Sequence, residues 1–282
     1  MITTRTVVDG LAFPECPRWH DSALWFSDQH GGSVSRIGLD GRAVPMMNVP
    51  GGPSGLGWDS RGSMLIVSML EKRLYRHDED KLSVVADLSS YCTGPANDMV
   101  VTADDYAIVG NIGFDFSGGE TPRNTVLLSV NSMSGQVKVV ADDLNTPNGM
   151  VITPDGGTLI LAESFGHRLL AFDLHGGGEL SNRRVFADLD GAVPDGICLD
   201  AEGCVWHASI GAHEVVRVEP GGAVRERVST GDREAVACML GGPDRRQLYV
   251  CTSTEFHPED TTRLMQGRIE VAGVAAAGAG RP

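Results

Sequence analysis

Asn148-Gly-Met-Val-Ile-Thr-Pro-Asp-Gly-Gly-Thr-Leu-Ile-Leu, residues 148–161, is a short apolar run, a turn rich in Asp and Gly, and a second apolar run. The same plan recurs at Glu15-Cys-Pro-Arg-Trp, Ser54-Gly-Leu-Gly-Trp, Asn97-Asp-Met-Val-Val, Asp195-Gly-Ile-Cys-Leu and Ala237-Cys-Met-Leu-Gly. Successive starts lie 39, 43, 51, 47 and 42 residues apart. Periods of roughly 40–50 residues suit propeller blades. Helical repeats can share that period, but the apolar runs here are short and bounded by turns. Thirty-six glycines and 14 prolines punctuate the chain, which fits many short strands.

Second runs follow each turn, among them Met64-Leu-Ile-Val, Ala107-Ile-Val and Leu248-Tyr-Val. Third runs include Arg73-Leu-Tyr-Arg-His, Thr125-Val-Leu-Leu-Ser-Val and Leu169-Leu-Ala-Phe-Asp, and outer runs include Val137-Lys-Val-Val and Val224-Arg-Glu-Arg-Val. In the first copy, Ser35-Arg-Ile leads to a turn at Leu39-Asp-Gly-Arg. Each copy thus predicts a four-stranded antiparallel sheet. The expected fold is all-β, a six-bladed β-propeller of four-stranded antiparallel blades, forming one domain over residues 1–271. The sixth copy is one strand short, and Arg5-Thr-Val-Val at the N-terminus can supply it, closing the ring and removing free sheet edges. Thr254 to Gln266 reads as a polar surface loop, and the Gly/Ala-rich residues 272–282 as a loose tail.

Bulk properties exclude several classes. The 282 residues carry 23 Lys+Arg against 37 Asp+Glu, a net charge of −14. That disfavours nucleic acid and anionic membrane surfaces as partners. No apolar run approaches the ~18 residues of a membrane span. The N-terminus lacks the apolar segment of a secretory signal. Six cysteines without Cys-x-x-Cys spacing read as buried free thiols, which points to a cytoplasmic location. No Gly-x-Ser-x-Gly elbow, Walker loop or dinucleotide fingerprint is present.

The first position of the repeat reads Glu15, Ser54, Asn97, Asn148, Asp195, Ala237. In a propeller one repeat position recurs around the axis, so Glu15, Asn148 and Asp195 would converge at one end of the central channel. Two carboxylates and an amide oxygen are hard donors suited to a divalent metal such as Ca²⁺, Mg²⁺ or Mn²⁺. A single Asn-Gly or Asp-Gly is more often only a turn. What favours ligation is that four carboxylate or amide side chains share one column. Asn111 and Glu163, at strand ends after the two Asn copies, would face the same region and contact substrate. His30, Asp98, Asp115, His167 and His207 are weaker candidates for the same rim, and Trp19 and Trp58 read as blade packing.

Phe13-Pro-Glu-Cys-Pro-Arg-Trp, Pro95-Ala-Asn-Asp-Met, Thr146-Pro-Asn-Gly-Met-Val-Ile-Thr-Pro-Asp-Gly and Pro194-Asp-Gly-Ile-Cys-Leu-Asp-Ala-Glu-Gly together resemble the regucalcin (senescence marker protein)/gluconolactonase/luciferin-regenerating-enzyme family. The resemblance spans about residues 10–270. It implies a six-bladed propeller with one catalytic divalent metal, Ca²⁺ first and Mg²⁺, Mn²⁺ or Zn²⁺ also compatible. It implies metal ligands at Glu15, Asn148 and Asp195, a substrate-facing Asn97, and Asp195 as general base. The implied reaction is hydrolysis of a cyclic ester, with the carbonyl polarised and a water activated. The implied substrate is a small-molecule lactone or ester. Many sugar lactonases of the family carry Arg two residues before the equivalent of Asn97, where this chain has Pro95. With Phe114 or Phe116 near the rim, a substrate less polar than an aldonolactone is expected. Two alternatives stay open: a metal-binding regulatory propeller without turnover, and a strictosidine-synthase-like condensing propeller, which would not need the three oxygen ligands.

Overall fold

The computed structural model describes residues 2–38, 41–79 and 81–282. The predicted turn beginning Leu39-Asp40 therefore lies partly outside the described residues. Six four-stranded antiparallel units stand around a channel. Blade 1 comprises Pro14–His20, Ala23–Asp28, Ser33–Ile37 and Ala43–Asn48, from the axis outward. Blades 2 to 5 repeat this order from Pro53–Trp58, Ala96–Val101, Pro147–Ile152 and Val193–Asp200. Blade 6 takes Glu234–Gly241, Gln247–Ser253 and Gly267–Gly273 from the C-terminal part, and Arg5–Leu11 from the N-terminus as its outer strand. The innermost strands touch in sequence, and that of blade 6 returns to that of blade 1. The predicted all-β six-bladed propeller, and the strand that closes it, are what the chain forms.

The Asp/Gly turns work as their chemistry requires. Asp59 accepts backbone N–H bonds from Arg61 and Ser63, both at 3.0 Å, and Asp200 from Glu202 and Cys204 at 2.9 and 3.1 Å. A carboxylate that captures the amides two and four residues on holds the hairpin between inner and second strand. Apolar side chains then pack between adjacent blades: one cluster joins blades 2 and 3, another blades 3 and 4, another blades 4 and 5. Trp206 is completely buried, donates Nε1 to Asp200 at 3.2 Å, and lies under the Arg217 guanidinium. Burying such a side chain contributes roughly 1.5–3 kcal/mol, so the core is laminated from blade to blade. All six cysteines are free and buried.

Two expectations are corrected. The segment Thr254 to Gln266 is no plain loop: it contains a helix, α1 (Pro258–Leu264). Pro258 is preset for a first helical position, Glu259 and Asp260 sit in the first turn and Arg263 in the last, matching the helix dipole. Left-handed Met265 ends it, donating its N–H to the Thr261 carbonyl at 2.9 Å. The tail 272–282 is docked, not loose. Gly278–Ala279 pairs antiparallel with the inner strand of blade 5, and Arg281 and Ile152 exchange backbone bonds of 2.9 and 2.7 Å. Its glycines serve close approach: a Cβ on Gly280 would lie 2.3 Å from the Ile152 carbonyl oxygen. Small residues there let backbone meet backbone at the channel end opposite the repeat column.

Candidate metal and active site

Every inner strand carries an irregularity at or beside the column position. Pairing runs from Glu15↔Ser27 to Arg18↔Trp25, from Pro53↔Ser68 to Leu56↔Ile66, and from Ala96↔Asn111 to Met99↔Val109. It runs from Pro147↔Glu163 to Met150↔Leu161 and from Pro194↔Ser209 to Ile197↔His207. Each step inserts one extra residue in the inner strand, a β-bulge that re-aims side chains off the regular alternation. The strands can crowd there because glycine follows the column residue in three blades. A Cβ on Gly55 would meet the Met99 nitrogen at 2.4 Å, on Gly149 the Ile197 nitrogen at 2.5 Å, and on Gly196 the Ala237 Cβ at 2.4 Å. In blade 1, Cys16 takes the left-handed conformation, φ 49°, and its N–H reaches back to the Glu15 carboxylate at 2.8 Å.

The bulges bring the column together. The charge of Asp195 acts on Glu15, and that of Asp98 acts on both. Burial pushes the Glu15 carboxyl well above the usual carboxylate range, and Asp195 adds to the shift, as does Asp98. Burial likewise raises Asp195 to about 8, with the Asn148 amide acting in the opposite sense and Asp98 adding to the rise. Asn148 is further held by Ser164 Oγ, 3.2 Å from its Nδ2, and Ser164 donates to the Pro194 carbonyl at 2.8 Å. Asn97 Oδ1 accepts from Ser54 Oγ at 3.4 Å, Ser54 accepts from Gln29 Nε2 at 3.0 Å, and Asn97 Nδ2 donates to the Pro147 carbonyl at 3.5 Å.

Arg18, Gln29 and Ser164 went unnoticed in the sequence, and Ser54, read there as a column member, supports Asn97. Arg18 is only 3% exposed. Its guanidinium pairs with Asp98 and donates to the carbonyls of Leu56, Pro17 and Met99, tying blades 1, 2 and 3 beside the site. The available signal was its place three residues after Glu15, across the bulge. Among the described residues neither Glu15 nor Asp195 has an ion-pair partner. Once Glu15 and Asp195 release their protons, three carboxylates and one guanidinium would leave two negative charges over, which is what one dication balances. No cluster of three or more His, Cys, Asp or Glu side chains is placed to share a metal among the described residues. A site built here would need the amide oxygen of Asn148 beside Glu15 and Asp195.

Asn111 and Glu163 belong to a second polar column, at the ends of the second strands: Asp28, Ser68, Asn111, Glu163, Ser209 and Thr252, all buried. This column staples loops. Asn111 accepts from Thr125 Oγ1 at 2.6 Å and donates to the Val126 carbonyl at 3.1 Å. Glu163 accepts from the Asn145 N–H at 2.7 Å and pairs with Arg168 at 2.5 Å and Arg183 at 3.6 Å. Both are fully buried and engaged within blades 3 and 4, Asn111 with the third strand and Glu163 with the loop before the inner strand and with two outer-strand arginines. Phe114 is buried too, 1% exposed, under Phe116.

His30 stacks on Phe13 at 4.7 Å and meets Thr261 of α1 at 2.7 Å, its pKa pushed down to about 4 by burial. His207 is buried against the Ala208 carbonyl at 3.3 Å and is likewise pushed to about 4. His167 sits in a left-handed turn facing the Ala192 carbonyl at 3.3 Å. Asp115 organises its own loop, accepting from Gly118 at 2.8 Å. Trp19 stacks on Tyr249 and Trp58 on His20.

The raised Asp195 pKa has a signed consequence. Between about pH 4 and pH 8 the folded, chelator-treated protein keeps a proton that the unfolded chain has released. Stability must therefore fall as pH rises through that window, by about 1.4 kcal/mol per unit for such a group. Urea unfolding in EDTA at pH 5 and pH 8 should show wild type losing on the order of 2–4 kcal/mol relative to Asp195→Asn. Parallel profiles would refute the raised Asp195 pKa.

Comparison with known proteins adds four findings. The SMP-30/Gluconolactonase/LRE-like family model matches residues 13–254. A 6-deoxy-6-sulfogluconolactonase of Pseudomonas putida is 31% identical over 123 residues, 43% of this chain and 42% of that protein. Regucalcin of Danio rerio is 25% identical over 248 residues, 85% of this chain and 82% of that protein. The match thus spans under half of the sulfogluconolactonase and most of the fish regucalcin. Among solved structures, a calcium-binding regucalcin of Agrobacterium tumefaciens superposes with a TM-score of 0.82 at 22% identity, covering 100% of this chain and 97% of that one, a likeness of fold.

Proposed function

The chain belongs to the SMP-30/gluconolactonase/LRE-like family, and from that premise we propose that it is a divalent-metal-dependent lactonase. The observation that carries this reading is that buried Glu15 and half-buried Asp195 stand close enough for one charge to act on the other, and neither forms a salt bridge among the described residues. Buried charges persist when paired or when they coordinate a metal. Glu15, Asn148 and Asp195 would hold the ion, Ca²⁺ first among hard cations and Mg²⁺, Mn²⁺ or Zn²⁺ as competitors. When bound, the ion would polarise the ester carbonyl and make a water more acidic.

The protein's own groups do the rest. Asp195 takes the proton of the attacking water, a role that suits a carboxylate whose basicity burial has increased. Ser164 fixes the Asn148 amide by its hydrogen bond, and Ser54 with the Pro147 carbonyl fixes Asn97. Asn97 then presents a preset polar face to the lactone, so little reorganisation is needed during reaction. The naming of the Pseudomonas relative as a lactonase and of the Agrobacterium structure as calcium-binding supports the same reading.

The test is a lactone panel assayed on EDTA-stripped protein, with Ca²⁺, Mg²⁺, Mn²⁺ and Zn²⁺ added back singly. Turnover should vanish on stripping and return with a divalent ion. Binding of an ion without hydrolysis of any lactone would sink the enzyme reading and leave a metal-binding propeller.

A further inference from the structure

A chain of three aromatic rings, Phe165, Phe114 and Phe116, runs outward from the residue next to Ser164. Ser164, bonded to Asn148, opens a short helical turn, Ser164–Gly166, whose next residue is Phe165. The Phe165 ring lies 6.0 Å from that of Phe114, and Phe114 lies 6.4 Å from Phe116 at 63°. Phe114 is sealed, while Phe116 is 55% exposed. An exposed aromatic ring standing on a buried one is held outward for contact rather than folded into the core.

The loop that carries Phe116 is braced from within. Gly113 accepts from Thr93 Oγ1 at 2.7 Å and from Arg123 Nε at 2.8 Å, and Ile112 donates to the Pro95 carbonyl at 2.9 Å. Glu120 accepts from the Asp115 N–H at 2.9 Å and pairs with Arg123 at 3.0 Å. The loop is therefore braced by its own hydrogen bonds, although Glu120 and Arg123 keep about half of their surface in water. A polyhydroxylated substrate passing here would exchange water for aromatic carbon, whereas an alkyl or aryl group would gain by leaving water.

We propose that the Phe165–Phe114–Phe116 approach selects a lactone bearing an apolar alkyl or aryl substituent, with Phe116 as the contact that sets the preference. This rests on the lactonase reading above. The probes are γ-decalactone, D-glucono-1,5-lactone and the lactam analogue of γ-decalactone, which has no ester to cleave. They are used with full-length Ca²⁺-supplemented protein and its Phe116→Ala variant.

The kcat/KM for γ-decalactone should exceed that for the aldonolactone at least tenfold. In Phe116→Ala the preference should fall about tenfold, with the loss in KM rather than kcat, and calorimetric binding of the lactam should weaken to match. Equal or better turnover of the aldonolactone, with an unmoved ratio in the variant, overturns the substrate class and leaves the lactonase reading standing. Lactam binding that weakens in Phe116→Ala while no lactone turns over overturns hydrolysis and keeps the apolar ligand. A concentration-dependent dimer lost in Phe116→Ala would show that the ring meets a second copy, which also overturns the proposal.

Discussion

Asp195→Asn is expected to leave the propeller folded while divalent binding and lactone hydrolysis both drop by about 10³-fold or more. The substitution keeps the size of the side chain and removes one negative charge. A unit charge 4 Å from another is worth about 4 kcal/mol at an effective dielectric of 20, and a dication doubles the attraction. Asp195 is also the group assigned to take the proton of the attacking water, so any turnover that survived weakened ion binding would lose its base. Calorimetric titration with Ca²⁺ and a lactone assay read the two losses separately. Unchanged ion affinity in this variant would refute the ligand assignment; lost turnover with ion binding intact would restrict Asp195 to the proton. In EDTA at pH 8 the same variant should unfold at higher urea than wild type, because burial opposes ionisation of the Asp195 carboxyl it lacks.

Arg18→Met should be the most destabilising single change near the site, by about 3–5 kcal/mol. Arg18 is the buried cation of the region, held by Asp98 and three backbone carbonyls. Methionine fills much of the volume but leaves Asp98 beside Glu15 and Asp195 with no counter-charge, and strands the carbonyls of Leu56 and Met99. Breaking one side of a buried pair costs far more than replacing both. Arg18→Met with Asp98→Leu should therefore recover much of the loss, and a double-mutant cycle by urea unfolding measures the coupling. Additive losses would show that Arg18 acts only through packing and its backbone bonds.

The site was partly legible in advance for a definite reason. The repeat writes the same bulged position six times, so Glu15, Asn97, Asn148 and Asp195 could be read as one column. The second column, Asp28 to Thr252, recurs at 40, 43, 52, 46 and 43 residues, nearly the spacing of the first, but it mixes carboxylates, an amide and hydroxyls with no motif around them. Asn111 and Glu163 were visible as polar strand ends, but whether a strand end faces the channel or a loop depends on register across two strands and on the loops around it. Arg168 and Arg183, which engage Glu163, come from the two outer strands of its blade. Arg18 was hidden for a similar reason, since its partners lie in three different blades.

The tail shows the same limit from the other side. Glycine and alanine from 272 to 282 carry no apolar period, so composition alone reads as looseness. Docking came from unpaired backbone groups, Ile152 and Ala201 among them, that only the closed ring presents. What the sequence by itself determined was local and repeated: strand length, the Asp/Gly hairpins, six blades, the N-terminal closing strand and the oxygen column. Those follow from turn chemistry and period, which act within a few residues. What only the tertiary structure decided was which side chains meet: Arg18 with Asp98, Phe165 with Phe114 and Glu15 against Asp195 across blades, and Ser164 with Asn148 within blade 4. These are contacts between residues 16 to 180 positions apart, or set by loops of different blades, and their energies exist only once burial has removed water from both partners.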